Sequence, residues 1–158
     1  MAGASEIIVV DPNQGRLEAA LALGATTAVT PDELKATMKQ LAPEGVDHAL
    51  EAVGAAETIA LAFRWIRIGG KATLLGIPPA GTKIELDPFD FTTREKTLTG
   101  TIAGSETPTS GVPRLVEYIR QGKLKVGQML GPSYSLDEVN EAVAASLAGA
   151  AGRVLVKP

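Results

Sequence analysis

Short apolar runs alternate with amphipathic stretches along the chain, and most are bounded by glycine, proline or a capping residue. Ile7-Ile8-Val9-Val10 is a continuous apolar run ending at Asp11, the form of a strand buried on both faces. A helix is predicted over 14–23, with Leu17, Ala20 and Leu21 on its inner face and Gly24 as its stop. Thr30-Pro31-Asp32-Glu33 opens another, to about Leu41: threonine caps, proline suits the first turn and glutamate completes a capping box. Residues 46–51 read as the next strand and Gly54 as the turn after it. Residues 55–67 have helical spacing with Ile59, Ala62, Phe63 and Ile66 inward, and Gly69-Gly70 separates them from a strand over 71–76.

Residues 83–86 alternate polar and apolar, the pattern of a half-exposed edge strand, and 98–103 read as a further strand. A Gly/Ser/Thr/Pro loop is expected to Gly111, then a helix over 113–121 stopped by Gly122. Ser135-Leu136-Asp137-Glu138 is a second capping box, leading into a helix through Val139, Ala142, Val143 and Leu147. A strand at 153–156 closes the chain. Strands alternating with helices argue for an α/β fold with a mostly parallel sheet. No repeat, low-complexity segment or linker divides the pattern, so residues 1–158 are expected to form one domain.

Composition narrows the function classes. At 158 residues the chain can bury a sizeable core, and its 45% hydrophobic content is ordinary for a globular protein. A net charge of −3 gives no reason to expect nucleic acid or an anionic membrane as partner. The absence of cysteine excludes disulfides and thiolate-based zinc or iron–sulfur sites. No apolar run approaches the roughly 20 residues of a membrane-spanning helix. The first ten residues lack a basic region followed by a long apolar one, so the cytoplasm is the expected location.

Several segments carry a resemblance by their order and spacing. They are residues 2–11, Leu23-Gly24-Ala25-Thr26, and Gly45-Val46-Asp47-His48-Ala49-Leu50-Glu51-Ala52-Val53-Gly54. Gly69-Gly70-Lys71, Leu75-Gly76-Ile77-Pro78-Pro79 and Leu98-Thr99-Gly100 follow, then residues 137–142 and Gly152-Arg153. Together, over nearly the whole chain, they resemble the C-terminal part of the nicotinamide-cofactor domain of zinc-dependent medium-chain alcohol dehydrogenases. The resemblance implies a Rossmann-like, mostly parallel sheet with helices on both faces.

It also implies roles for individual residues. A carboxylate at Asp11, ending the second strand of such a fold, accepts hydrogen bonds from the adenosine ribose hydroxyls and repels a 2′-phosphate, favouring NAD over NADP. Read without the resemblance, Asp11 could instead cap the next helix. Arg16, one turn on, matches a basic residue near the ribose, or is a solvated helix charge. Pro12 and Val53 match positions flanking the adenine ring. Leu75 and Ile77 match the segment whose backbone meets the nicotinamide carboxamide. Arg153 matches a late basic residue that pairs with the pyrophosphate, a task suited to a forked, permanently charged guanidinium. His48, the only histidine, reads as structural or solvent-facing, and Trp65 as packing. Glu85 and Asp87 give no sign of a catalytic dyad.

What the family has and this sequence lacks shapes the remaining expectations. A complete domain of this type opens with a strand, G-x-G-x-x-G and a helix whose N-terminus holds the pyrophosphate, and no such motif occurs here. The first strand and helix are therefore expected to be missing, along with the catalytic domain that carries the family's zinc ligands. The expected protein is a truncated NAD-binding domain, not catalytic alone, with cofactor affinity weak or lost and no zinc. The alternative is a structural or interaction module that no longer binds nucleotide. The missing strand is the central one, so the sheet is expected to close up or to be completed by oligomerisation. A two-fold homodimer through 83–86, or another homo-oligomer, is the expected assembly, with a separate catalytic-domain chain as a further candidate partner.

Overall fold

A computed structural model of the chain describes residues 3–158. In chain order the elements are β1 (Ile8–Val10), α1 (Gln14–Ala22), β2 (Thr27–Val29), α2 (Pro31–Leu41), β3 (Val46–Glu51), α3 (Ala56–Trp65) and β4 (Ile66–Leu74). Then come α4 (Pro88–Thr93), β5 (Thr97–Gly100), α5 (Pro108–Arg120), β6 (Leu130–Ser135), α6 (Val139–Leu147) and β7 (Arg153–Lys157). They fall into two compact units, residues 1–35 with 109–158, and residues 36–108.

The first unit holds two parallel strand pairs. β1 pairs with β2 in the register Ile8↔Thr27 to Val10↔Val29, with α1 as the crossover. β6 pairs with β7 from Leu130↔Arg153 to Ser135↔Lys157, with α6 as the crossover. Leu17 of α1 and Ala142 of α6 are buried as expected, whereas Leu21 is exposed. Gly24 ends α1 at φ +109°, a conformation that disfavours any side chain. The capping box at Ser135 and Glu138 forms, with both the Ser135 N–H and hydroxyl donating to Glu138 Oε2 at 2.8 Å.

The second unit is a three-stranded parallel sheet in the order β3-β4-β5. Phe63, Ile66 and Ala72 form its core, with Val46, Ala49, Leu86 and Leu98 packed against them. Phe91 stacks on Phe63 with ring centroids 4.7 Å apart. Lys96 is buried beneath α3. Its Nζ donates to the carbonyls of Phe63 and Arg64 at 3.2 and 3.1 Å, lies 3.7 Å from Asp90 Oδ2 and sits over the Phe63 ring. The last carbonyls of α3 thereby gain a cationic donor, which helix ends favour.

The parallel α/β class is as expected, and several details differ. Residues 83–86 form no strand, having no ladder partner among the described residues; Leu86 joins the core and Ile84 stays exposed. β4 runs through Gly69-Gly70 instead of starting after them. Its register jumps from Val46↔Ile66 to His48↔Lys71, and Gly69 bends the strand at φ +70°. Ile66 is inward as expected but opens β4, so α3 ends at Trp65. α5 starts at Pro108, inside the expected loop, and accommodates Pro113. The 98–103 segment is strand only to Gly100. β2 and β6 are unforeseen.

Candidate functional site

Asp11 follows β1 and does not cap α1. That position belongs to Asn13, whose Oδ1 accepts the Arg16 N–H at 3.2 Å. Asp11 Oδ1 accepts the Asn13 N–H at 2.8 Å, and its Oδ2 lies 3.6 Å from Arg16 Nη1. The carboxylate is thus aimed by a short turn and a guanidinium while staying partly open to solvent. Arg16 packs over Gly149, where an added Cβ would meet its Nη2 at 3.1 Å. Asn13 Nδ2 donates to the Gly149 carbonyl at 3.5 Å. Residues 149–152 lead from there to Arg153, exposed at the start of β7. The first unit therefore brings Asp11, Arg16 and the loop before Arg153 into one neighbourhood. Pro12 is exposed beside Asp11.

In the second unit two turns are joined through one residue, Glu51, buried at the end of β3. Its Oε1 accepts the N–H groups of Val53 and Gly54 and the Thr58 hydroxyl, each at 2.8 Å. Its backbone carbonyl accepts the N–H groups of Leu75 and Gly76 at 2.7 and 3.0 Å. The two turns cross in contact. A Cβ at Gly54, which sits at φ +82°, would lie 2.8 Å from the Ile77 carbonyl, and one at Gly76 would overlap Gly54 N. Glycine is required at both crossings. Val53 and Ile77 project outward, 73% and 81% exposed, and Leu75 is 46% exposed. An open cleft of about 450 Å³ borders Leu75 and Ile77, lined also by Gly76, Thr101, Ile102 and Ser105.

Each unit thus gathers part of the expected set: Asp11, Pro12, Arg16 and Arg153 in the first, Val53, Leu75 and Ile77 in the second. Asn13 and Glu51 were not foreseen as organising residues. Asn13 two positions after Asp11 was a readable capping signal. A glutamate ending an apolar strand three residues before Gly54 was a weaker one. His48 is exposed on β3, and Asp87 caps α4 by accepting the Phe89 N–H at 2.9 Å.

Residues 1–119 match the family model described as zinc-binding dehydrogenase. The chain belongs to this family. It is 33% identical over 147 residues to alcohol dehydrogenase 1 of Oryza sativa subsp. indica, covering 90% of this chain and 38% of that protein. Alcohol dehydrogenase 2 of Zea mays is 31% identical over 162 residues, covering 99% of this chain and 42% of the relative. Benzyl alcohol dehydrogenase from Acinetobacter calcoaceticus superposes with a TM-score of 0.87 at 36% identity, covering 93% of this chain and 41% of that one. A zinc-binding dehydrogenase from Sinorhizobium meliloti bound to NADP superposes at 0.84 with 29% identity, covering 99% and 46%. The chain therefore spans about two-fifths of the length of the curated relatives it matches, and corresponds to a partial dinucleotide-binding domain. Among the described residues no group of three His, Cys, Asp or Glu side chains could hold a metal ion. With no cysteine in the sequence, the residues present do not fit a zinc ion.

Proposed function

We propose that this chain holds a nicotinamide dinucleotide, with NAD preferred, as the cofactor-binding part of an alcohol dehydrogenase. When bound, the cofactor supplies or accepts the hydride exchanged between an alcohol and its carbonyl product. The observation that carries the reading is the geometry at Asp11: a partly open carboxylate, oriented by Asn13 and Arg16 and not consumed as a helix cap. Such a group accepts two ribose hydroxyls and opposes a phosphate in their place. Arg16, beside it, offers positive charge near the same end of the ligand, and Arg153 offers a forked donor for the pyrophosphate. Pro12 supplies an exposed apolar surface for the adenine.

Val53, Leu75 and Ile77 support the reading independently. Exposed apolar side chains on two crossed, rigid turns suit the faces of planar rings, and the backbone at Leu75–Ile77 suits a carboxamide. The affinity is proposed to be weak, since no Gly-rich phosphate loop occurs in the sequence.

Titration with NADH and NADPH, following cofactor fluorescence, tests the proposal. The chain should bind NADH more tightly than NADPH, and Asp11→Ala should weaken NADH by about tenfold while narrowing the preference. Equal affinity for the two cofactors, unaltered in the variant, would remove Asp11 from the site. Absence of any binding would favour an interaction module that has lost the nucleotide.

The assembly proposed is a two-fold homodimer through residues 83–86, whose alternating pattern finds no ladder among the described residues. The cytoplasm is the proposed location, since a cysteine-free chain has no need of an oxidising compartment.

A further inference from the structure

Two buried charged side chains stand out in the second unit, Glu51 and Lys96. Lys96 closes a helix end and is accounted for by its contacts there. Glu51 is different: all three of its side-chain hydrogen bonds converge on Oε1, while Oε2 is buried with no partner among the described residues. A carboxylate is costly to bury and is kept only where its bonds repay the burial. Every one of its backbone donors lies on the two turns that carry Val53, Leu75 and Ile77. The Oε1 bonds fix the Val53–Gly54 turn, and the carbonyl of the same residue fixes the Leu75–Gly76 turn. Thr58 ties the first turn of α3 to the same oxygen.

We propose that Glu51 is a positioning residue whose Oε1 fixes the Val53–Gly54 turn against the Leu75–Gly76 turn held by its own backbone carbonyl, and that Oε2 and the negative charge are dispensable for this task. The inference deepens the cofactor reading of Val53, Leu75 and Ile77 and rests on it for its functional meaning. Aligned turns present the three apolar side chains as one preformed surface, which lowers the ordering cost of binding a rigid ring. Without the clamp, each turn keeps its sequence but loses its fixed relation to the other.

Three substitutions in the full chain separate reach from charge. Glu51→Gln keeps an acceptor at the Oε1 position and removes the charge. Glu51→Asp keeps the charge and shortens the arm by one methylene. Glu51→Ala removes both. Amide hydrogen exchange at Val53, Gly54, Leu75 and Gly76 reads the clamp, with the amides of the β3-β4 ladder confirming that the unit is folded. NADH affinity reads its consequence. Glu51→Gln should keep exchange and affinity within about threefold of the parent chain, whereas Asp and Ala should speed exchange at Val53 and Gly54, and weaken NADH, by about tenfold or more. Glu51→Gln behaving like Glu51→Ala would overturn the proposal, as would unchanged exchange in Glu51→Asp. If the parent chain binds no NADH, the cofactor reading falls, while the exchange pattern still decides whether Glu51 aligns the turns.

Discussion

At the scale of single residues, each carboxylate's role follows from who donates to it. Glu33 receives the Thr30 N–H at 2.9 Å and the Thr30 hydroxyl at 2.8 Å, and these bonds hold its carboxyl below the ordinary 4.5. Asp47 is held low by the hydrogen bond and charge of Arg67, and Glu138 by the Ser135 N–H and hydroxyl. A depressed folded value means stability that is present above the unfolded value and lost as pH falls through the folded one. Glu33→Gln should therefore lower stability at about pH 7 and make progressively less difference as pH falls below 4.5 and through the lowered folded value. Urea unfolding of both proteins across that range measures it, and a difference independent of pH would refute the assignment. Asp11 and Glu51 differ in how far the sequence announced them. Asp11 ends an apolar run that any reader would stop at. Glu51 sits in an equally clear strand, yet its importance lies in where Val53, Gly54, Leu75 and Gly76 point their amides, which only the folded turns reveal.

Elements with local chemistry of their own were legible. Thr30 donates to Glu33 at the start of α2, the short 3-10 turn Leu136–Glu138 leading into α6 carries a capping box, α1 has a left-handed glycine behind it, and β3 runs over the expected residues. Elements that owe their existence to a partner were not. β2 has three residues, too few for a periodic signal, and exists because β1 lies beside it. β6 contains Gly131 and Pro132, both unfavourable in strands, and is held by β7 around a register shift at that point. α5 extends back to Pro108 because proline suits a first helical position, and Pro113 forfeits only one backbone bond. The 83–86 segment is the reverse case, a strand pattern with no partner among the described residues. If a second copy supplies that partner, sedimentation at micromolar concentration should give a dimer, and Ile84→Lys should shift it to monomer. A monomeric parent chain would dismiss this surface as the interface.

For the whole molecule, the ladders are local to each unit: β1-β2 and β6-β7 in the first, β3-β4-β5 in the second. Among the described residues β1 and β3 each have a single ladder partner, and each unit carries some of the residues read as cofactor contacts. Family membership and the parallel α/β class were legible because spaced short motifs survive over most of the chain. The central claim is that the Asp11 carboxylate, with Arg16 beside it, receives the ribose of a nicotinamide dinucleotide. Its most direct test is a titration of the isotopically labelled chain with NADH, following backbone amide shifts. The account predicts saturable shifts at residues 11–16, weakened in Asp11→Ala. No saturable shift at these positions up to about 1 mM cofactor, or shifts that Asp11→Ala leaves unaltered, would contradict it.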